Sequence, residues 1–167
     1  MSRTLILNSR QIEQKINRIS YEIYENNYSE KEIVLAGIAP NGYELAQRIG
    51  EVLESISPIK IRLVKLAVDK EAPYDKKVKA SAAIKNTEDK VIIVVDDVLN
   101  SGKTLMYGVK HFLPSALKRI STAVLVDRDH TRYPIKADFA GISLSTTLKE
   151  HVSVELGPRG KEAVYLL

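Results

Sequence analysis

Apolar and polar positions follow two different periods along this chain, and the switches between them divide it into elements. In SRQIEQKINRISYEIYENN (9–27), Ile12, Ile16, Ile19, Ile23 and Tyr24 recur at helical spacing, which predicts an amphipathic helix with Ser9 as its N-cap. EIVLAGI (32–38) is a short β-branched run and predicts a strand, and NGYELAQRIGEVLESI (41–56) returns to helical spacing. IKIRLVKLAV (59–68) alternates apolar with polar residues, as a half-exposed or edge strand does. KVIIVVDD (90–97) is apolar almost throughout until its last two positions, the mark of a strand covered on both faces. GKTLMYGVKHFL (102–113) carries Leu105, Val109 and Phe112 on one side and predicts a helix ending near Pro114; ISTAVLVD (120–127) predicts the next strand. The alternation of strand and helix implies an α/β fold, an open parallel sheet flanked by helices.

Two regions leave this alternation. DKEAPYDKKVKASAAIKNTED (69–89) has no sustained period and is rich in Lys. Loops of this length inside a domain often act as lids, so a mobile loop is expected over about 69–89. From Arg128 onward come the short strand-like runs YPIKADFAGI and HVSVEL and the basic turn GPRGK, expected to form a small C-terminal hood over about 128–167. A length of 167 residues accommodates all of this in a single domain, 1–167.

Composition narrows the chemistry. The sequence has no Cys, which excludes disulfides, thiolate metal sites and a Cys nucleophile. A net charge of +4 fits an anionic ligand without choosing one. The start of the chain has no leader-like apolar core and no segment reaches membrane-spanning length, so a cytoplasmic protein with no membrane partner is expected.

The candidate chemistry lies in VIIVVDDVLNSGKTL (91–105). Asp96 and Asp97 close the apolar strand, at the carboxyl edge of the sheet, where open α/β sheets bind ligands. Asn100, Ser101, Gly102, Lys103 and Thr104 then offer backbone N–H groups, hydroxyls and a helix N-terminus to an anion. A triphosphate loop would need Gly five positions before the Gly-Lys pair, and Asp97 stands there instead. A sugar phosphate reconciles the two halves: the acids take ribose hydroxyls while the loop takes the phosphate. The plain alternative is a strand–turn–helix with Asp97 as helix N-cap.

The same stretch resembles the signature of type I phosphoribosyltransferases, which bind 5-phosphoribosyl-1-pyrophosphate (PRPP). NRISYEI (17–23), AGIAPNGYELAQRI (36–49) and LVDRDHTRYPIKADFAGISLSTTLKEHVSVEL (125–156) resemble the PyrR family, pyrimidine-operon attenuators that often double as uracil phosphoribosyltransferases. The resemblance implies the type I phosphoribosyltransferase fold and transfer of phosphoribose to a nucleobase, uracil in the first instance, with release of pyrophosphate. It implies that Asp96 and Asp97 hold the ribose, that residues 100–104 hold the 5′-phosphate, and that Mg²⁺ is held mainly through PRPP, with no metal site of the protein's own. Ala39, Pro40, Asn41 and Gly42 would meet the pyrophosphate, with a cis Ala39–Pro40 bond. Lys136, in the Lys-Ala-Asp-Phe run, would contact the base, with Asp127 and Arg128 as its neighbouring wall.

The family's Tyr-Arg-Asp-Asp segment is replaced here by LAVDKEAPYD, where Tyr74 and Lys76, Lys77 or Lys79 are the candidate substitutes. The resemblance further implies a homodimer or higher homo-oligomer. Its alternative function is a nucleotide-responsive RNA-binding regulator, using a basic face that includes the first helix. Arg10, Lys15 and Arg18 remain on that helix, while Asn17 and Tyr21 stand where the family usually has Thr and His.

Overall fold

Three strand–helix units set the frame of the computed structural model, which describes residues 2–81 and 87–167. The first strand, β1 (Thr4–Leu7), leads into α1 (Ser9–Asn27). Then β2 (Glu32–Ile38), α2 (Asn41–Ile56), β3 (Lys60–Ala67) and the two-residue β4 (Lys79–Ala80) follow. β5 (Val91–Leu99), α3 (Lys103–Phe112) and β6 (Arg119–Asp127) form the next unit, and β7 (Phe139–Ser143), β8 (Val152–Glu155) and β9 (Ala163–Leu166) complete the described chain. The main sheet has the order β4-β3-β2-β5-β6-β7, parallel except for β4 at its edge.

Side-chain alternation on the central strands builds both halves of the core. Ile33 and Leu35 of β2 and Ile93 and Val95 of β5 meet the apolar stripes of α1 and α2, among them Ile12, Ile19, Leu45 and Ile49. Val34, Ala36, Ile92 and Val94 turn the other way, onto Leu105 and Phe112 of α3. Residues Val91 to Asp96 are all buried, as expected of a strand covered on both faces. β3 is half-exposed, with β4 as its outer neighbour.

Several expectations need correction. The N-cap of α1 is Asn8, not Ser9: Gln11 N donates to Asn8 Oδ1 at 2.9 Å, and Asn8 N donates to Gln11 Oε1 at 2.9 Å, a reciprocal capping box. β5 runs two residues past its acids to Leu99, because β6 continues to pair with it as far as Asp127. Of the run 133–142, only the part from Phe139 on is a strand, β7, which extends to Ser143 and joins the main sheet beside β6. Ahead of it, Arg132 N and Tyr133 N donate to the Ser101 carbonyl at 2.8 and 3.1 Å, which commits that backbone to the loop after β5.

The hood is a separate three-stranded antiparallel sheet, β1-β9-β8, so the start of the chain contributes a strand that period alone did not predict. Within the expected lid, β4 pairs with β3, and residues 82–86 lie outside the described residues.

A buried ion pair fastens the turn before β9 to the helices. Arg48 of α2 donates to Glu162, to Glu44 at 3.0 Å, and to the carbonyls of Leu156 and Gly157. Glu162 also accepts from the Ser9 hydroxyl and from Gly160 N. Burial alone would raise the Glu162 carboxyl, but these donors outweigh it and hold its pKa at about 2.

Candidate active site

β2 and β5 are neighbours in the sheet, yet the chain leaves β2 toward β3 and leaves β5 toward β6. The two connections diverge, and such a switch point opens a crevice at the carboxyl edge of a parallel sheet. Pairing of β5 with β2 ends at Val95, opposite Gly37, while pairing with β6 continues. Asp96 and Asp97 are therefore the first residues of β5 released from β2, and they stand in the crevice.

The two acids have different surroundings. Asp96 is 4% exposed, and its Oδ1 accepts from Asp97 N at 2.9 Å. Burial pushes its carboxyl well above the ordinary range, the Asp97 charge pushes the same way, and Lys70 opposes both. Asp97 is half-buried; its Oδ1 accepts from Val98 N at 2.8 Å and its Oδ2 from Asn41 Nδ2 at 3.0 Å.

The loop after the acids ends at Gly102, with φ 88°, which serves as the N-cap of α3. Among the described residues no cap side chain bonds to that helix, so Asp97 is not its cap, and beyond Lys103 the next N–H groups, of Thr104 and Leu105, face the loop where an anion could sit. A Cβ at Gly102 would lie 2.5 Å from Ile135 Cγ2, so both conformation and space require glycine. Together with Asp96, Asp97 and Lys70, the loop lines a cleft of about 80 Å³. Lys103 N lies 3.3 Å from Ser101 Oγ, and Lys103 Nζ donates to the Glu71 carbonyl at 3.2 Å, away from the acids.

On the other side of the crevice, the Ala39–Pro40 bond is cis, as expected. Gly42 lets the start of α2 approach β5 closely: a Cβ there would meet Val95 O at 2.6 Å and Asp96 Cα at 2.9 Å. Asn41 lies between the two, and its Nδ2 donates both to Asp97 and to the Val154 carbonyl of β8, each at 3.0 Å.

Not every candidate reaches the cleft. Arg128 is buried, and four of its five N–H donors are engaged: it donates to Asn100 Oδ1 at 2.8 Å, Thr146 Oγ1 at 3.0 Å, and the carbonyls of Thr147 and Glu150. It braces the loop after β5 against residues 146–150. Asp127 accepts from Asp129 N at 2.9 Å at the end of β6. Lys136 is exposed; its carbonyl accepts from Thr122 Oγ1, and it does not line the cleft.

Among the lid candidates, Lys76 pairs with Asp69 at 3.2 Å, Tyr74 and Lys77 line a groove against α3, and Lys79 belongs to β4. From this segment the residue that lines the cleft, alongside Lys103 of the loop, is Lys70, which sequence reasoning passed over. Its signal was its place three residues after β3, beside the carboxyl edge. The described residues contain no group of three or more His, Cys, Asp or Glu suited to a metal ion, and no helix among them is long and apolar enough to cross a membrane.

The crevice thus brings an acid pair at the switch point of a parallel sheet beside the N-terminus of α3, and comparison with known proteins gives the family in which this arrangement occurs. The chain belongs to the phosphoribosyl transferase domain family, whose model matches residues 2–158. Within that family its relatives are PyrR proteins. It is 37% identical over 160 residues to the bifunctional protein PyrR of Clostridium kluyveri, covering 92% of this chain and 90% of the relative. It is 36% identical to that of Streptococcus suis, covering 97% and 95%.

Among solved structures, the fold matches a hypoxanthine phosphoribosyltransferase of Trypanosoma cruzi with TM-score 0.76, at 15% identity over 98% of this chain and 95% of the other. A hypoxanthine-guanine phosphoribosyltransferase of Bacillus anthracis matches with TM-score 0.70, at 20% identity over 86% and 84%.

Proposed function

We propose that this phosphoribosyltransferase takes PRPP as donor and uracil as acceptor, forming UMP and pyrophosphate in the cytoplasm, as a homodimer or higher homo-oligomer. The observation that carries the reading is the pairing of Asp96 and Asp97 with the open N-terminus of α3 across one small cleft. In the reaction, a bond forms between ribose C1 and a base nitrogen while the bond from C1 to the pyrophosphate oxygen breaks. Positive charge develops on the ribose ring, and the Asp97 carboxylate lies on the side that stabilises it. The loop 100–104 holds the 5′-phosphate, so placement of the two reactants supplies much of the acceleration.

Mg²⁺ fits this site only as a companion of PRPP. Two neighbouring acids are too few to cage it, and both oxygens of Asp97 already accept hydrogen bonds. When bound, it would neutralise diphosphate charge beside the two carboxylates.

Incubation of the protein with PRPP, Mg²⁺ and each of five bases, scored for pyrophosphate release, tests the reading. Uracil is expected to give release well above the other four. PRPP binding without release with any base would reduce the protein to a nucleotide-binding module, and a purine preference would replace uracil.

The relatives' designation as bifunctional supports weighing a second activity, RNA binding through α1. Arg18 is already engaged, by Glu22 at 3.1 Å and by the carbonyls of Ala140 and Gly141. Titration with pyrimidine-leader stem-loops at near-physiological salt is expected to give binding in the micromolar range or weaker, without sequence preference. Nanomolar, sequence-selective binding strengthened by UMP would make regulation the primary role.

A further inference from the structure

We infer that Asn41 is a positioning residue for the ribose carboxylate, and that it ties the reading of the sugar to the seating of the hood. The amide sits at the first residue of α2, and its nitrogen has two protons. One goes to Asp97 Oδ2 and the other to the Val154 carbonyl of β8, both at 3.0 Å. The second oxygen of Asp97 is fixed by Val98 N, a neighbour on its own strand. Asn41 is thus the one side chain from another element found to orient this carboxylate among the described residues, and it does so while holding the hood. A side chain that serves both partners aims the remaining lone pairs of Asp97 into the crevice only when β8 is in place.

The inference rests on the phosphoribosyl reading of Asp97, and its test separates the two. Binding of UMP, 2′-deoxy-UMP and 3′-deoxy-UMP is measured by calorimetry on the wild-type chain, Asp97→Asn, Asn41→Ala and the isosteric Asn41→Asp. Circular dichroism and melting verify each fold. The wild-type chain is expected to prefer UMP to at least one deoxy analogue by roughly tenfold or more, the scale of a hydrogen bond to a charged group. Asp97→Asn identifies which hydroxyl Asp97 reads.

Asn41→Ala is expected to shrink the preference for that same hydroxyl by roughly fivefold while changing affinity for the deoxy analogue by less than about threefold. Asn41→Asp, which sets an acceptor against Asp97, is expected to shrink it further. A structural role alone would weaken UMP and its deoxy analogues in parallel and leave their ratio unchanged; that result overturns the inference. A wild-type chain indifferent to both hydroxyls would instead overturn the ribose reading of the acids, and the inference with it.

Discussion

Asp97→Asn is expected to weaken binding of PRPP and of UMP by roughly 10- to 100-fold without lowering the melting temperature. The size follows from losing a charged acceptor for a ribose hydroxyl, since hydrogen bonds to charged groups are worth about 1.5–3 kcal/mol. The effect on the fold is small because Asp97 is half-buried at the crevice and the amide oxygen keeps the bond from Val98 N, although the amide nitrogen cannot accept from Asn41.

Asp96→Asn should behave differently. The Asp96 carboxyl is pushed toward its neutral form by burial and by Asp97, and Asn has nearly the shape of a protonated acid. A group whose pKa is raised on folding subtracts stability once the pH exceeds its unfolded value, so removing it should leave the protein as stable or more stable at neutral pH. Its loss of affinity should be the smaller of the two. Calorimetry with PRPP and UMP, alongside thermal melts, checks both variants; unchanged affinity in both would remove the acids from the site.

The largest effect on stability is expected from Glu162→Ala. That change leaves the buried Arg48 guanidinium without its closest carboxylate, and Ser9 Oγ and Gly160 N without their acceptor. Breaking a buried pair by removing one partner costs about 3–5 kcal/mol, which in a domain of this size lowers the melting temperature by roughly 10 °C. The pair also has a pH signature. The Glu162 carboxyl is lowered on folding, from 4.5 to about 2, so its contribution is complete above the unfolded value. It is lost as the pH falls from about 4.5 through 2, and amounts to about 3 kcal/mol. Denaturant melts of the wild-type chain between pH 6 and 2, set against those of Glu162→Gln, should show that this part of the acid loss is missing from the variant. Parallel curves would assign it to other carboxylates.

The helices and central strands were legible because each repeats one period over many residues: α1, α2 and β2 have the bounds their patterns predict. The turn into α3 was legible too, since Gly102 permits the positive φ that the structure has there. What the pattern could not carry was pairing at a distance. TLIL and AVYL are too short to declare a period, and become strands only because each finds the other. The same limit governed the site. Arg128 and Asn41 have the chemistry of ligand contacts, but the structure spends both on other parts of the chain. Lys70 was overlooked because a cation between two acids, Asp69 and Glu71, reads as a solvated turn.

The pairing of Thr4 with Leu166 has a consequence for the order in which the protein assembles. Neighbouring βαβ contacts in the main sheet close short loops, whereas this pairing closes nearly the whole chain and forms late. The hood is therefore expected to dock last and to come away first in a sub-global opening. Because Asn41 bonds to Val154 across that boundary, each such opening also removes the second anchor of the amide that braces Asp97. A ligand that engages Asp97 is then expected to slow amide exchange in β8 and β9, well away from the carboxylate itself in sequence.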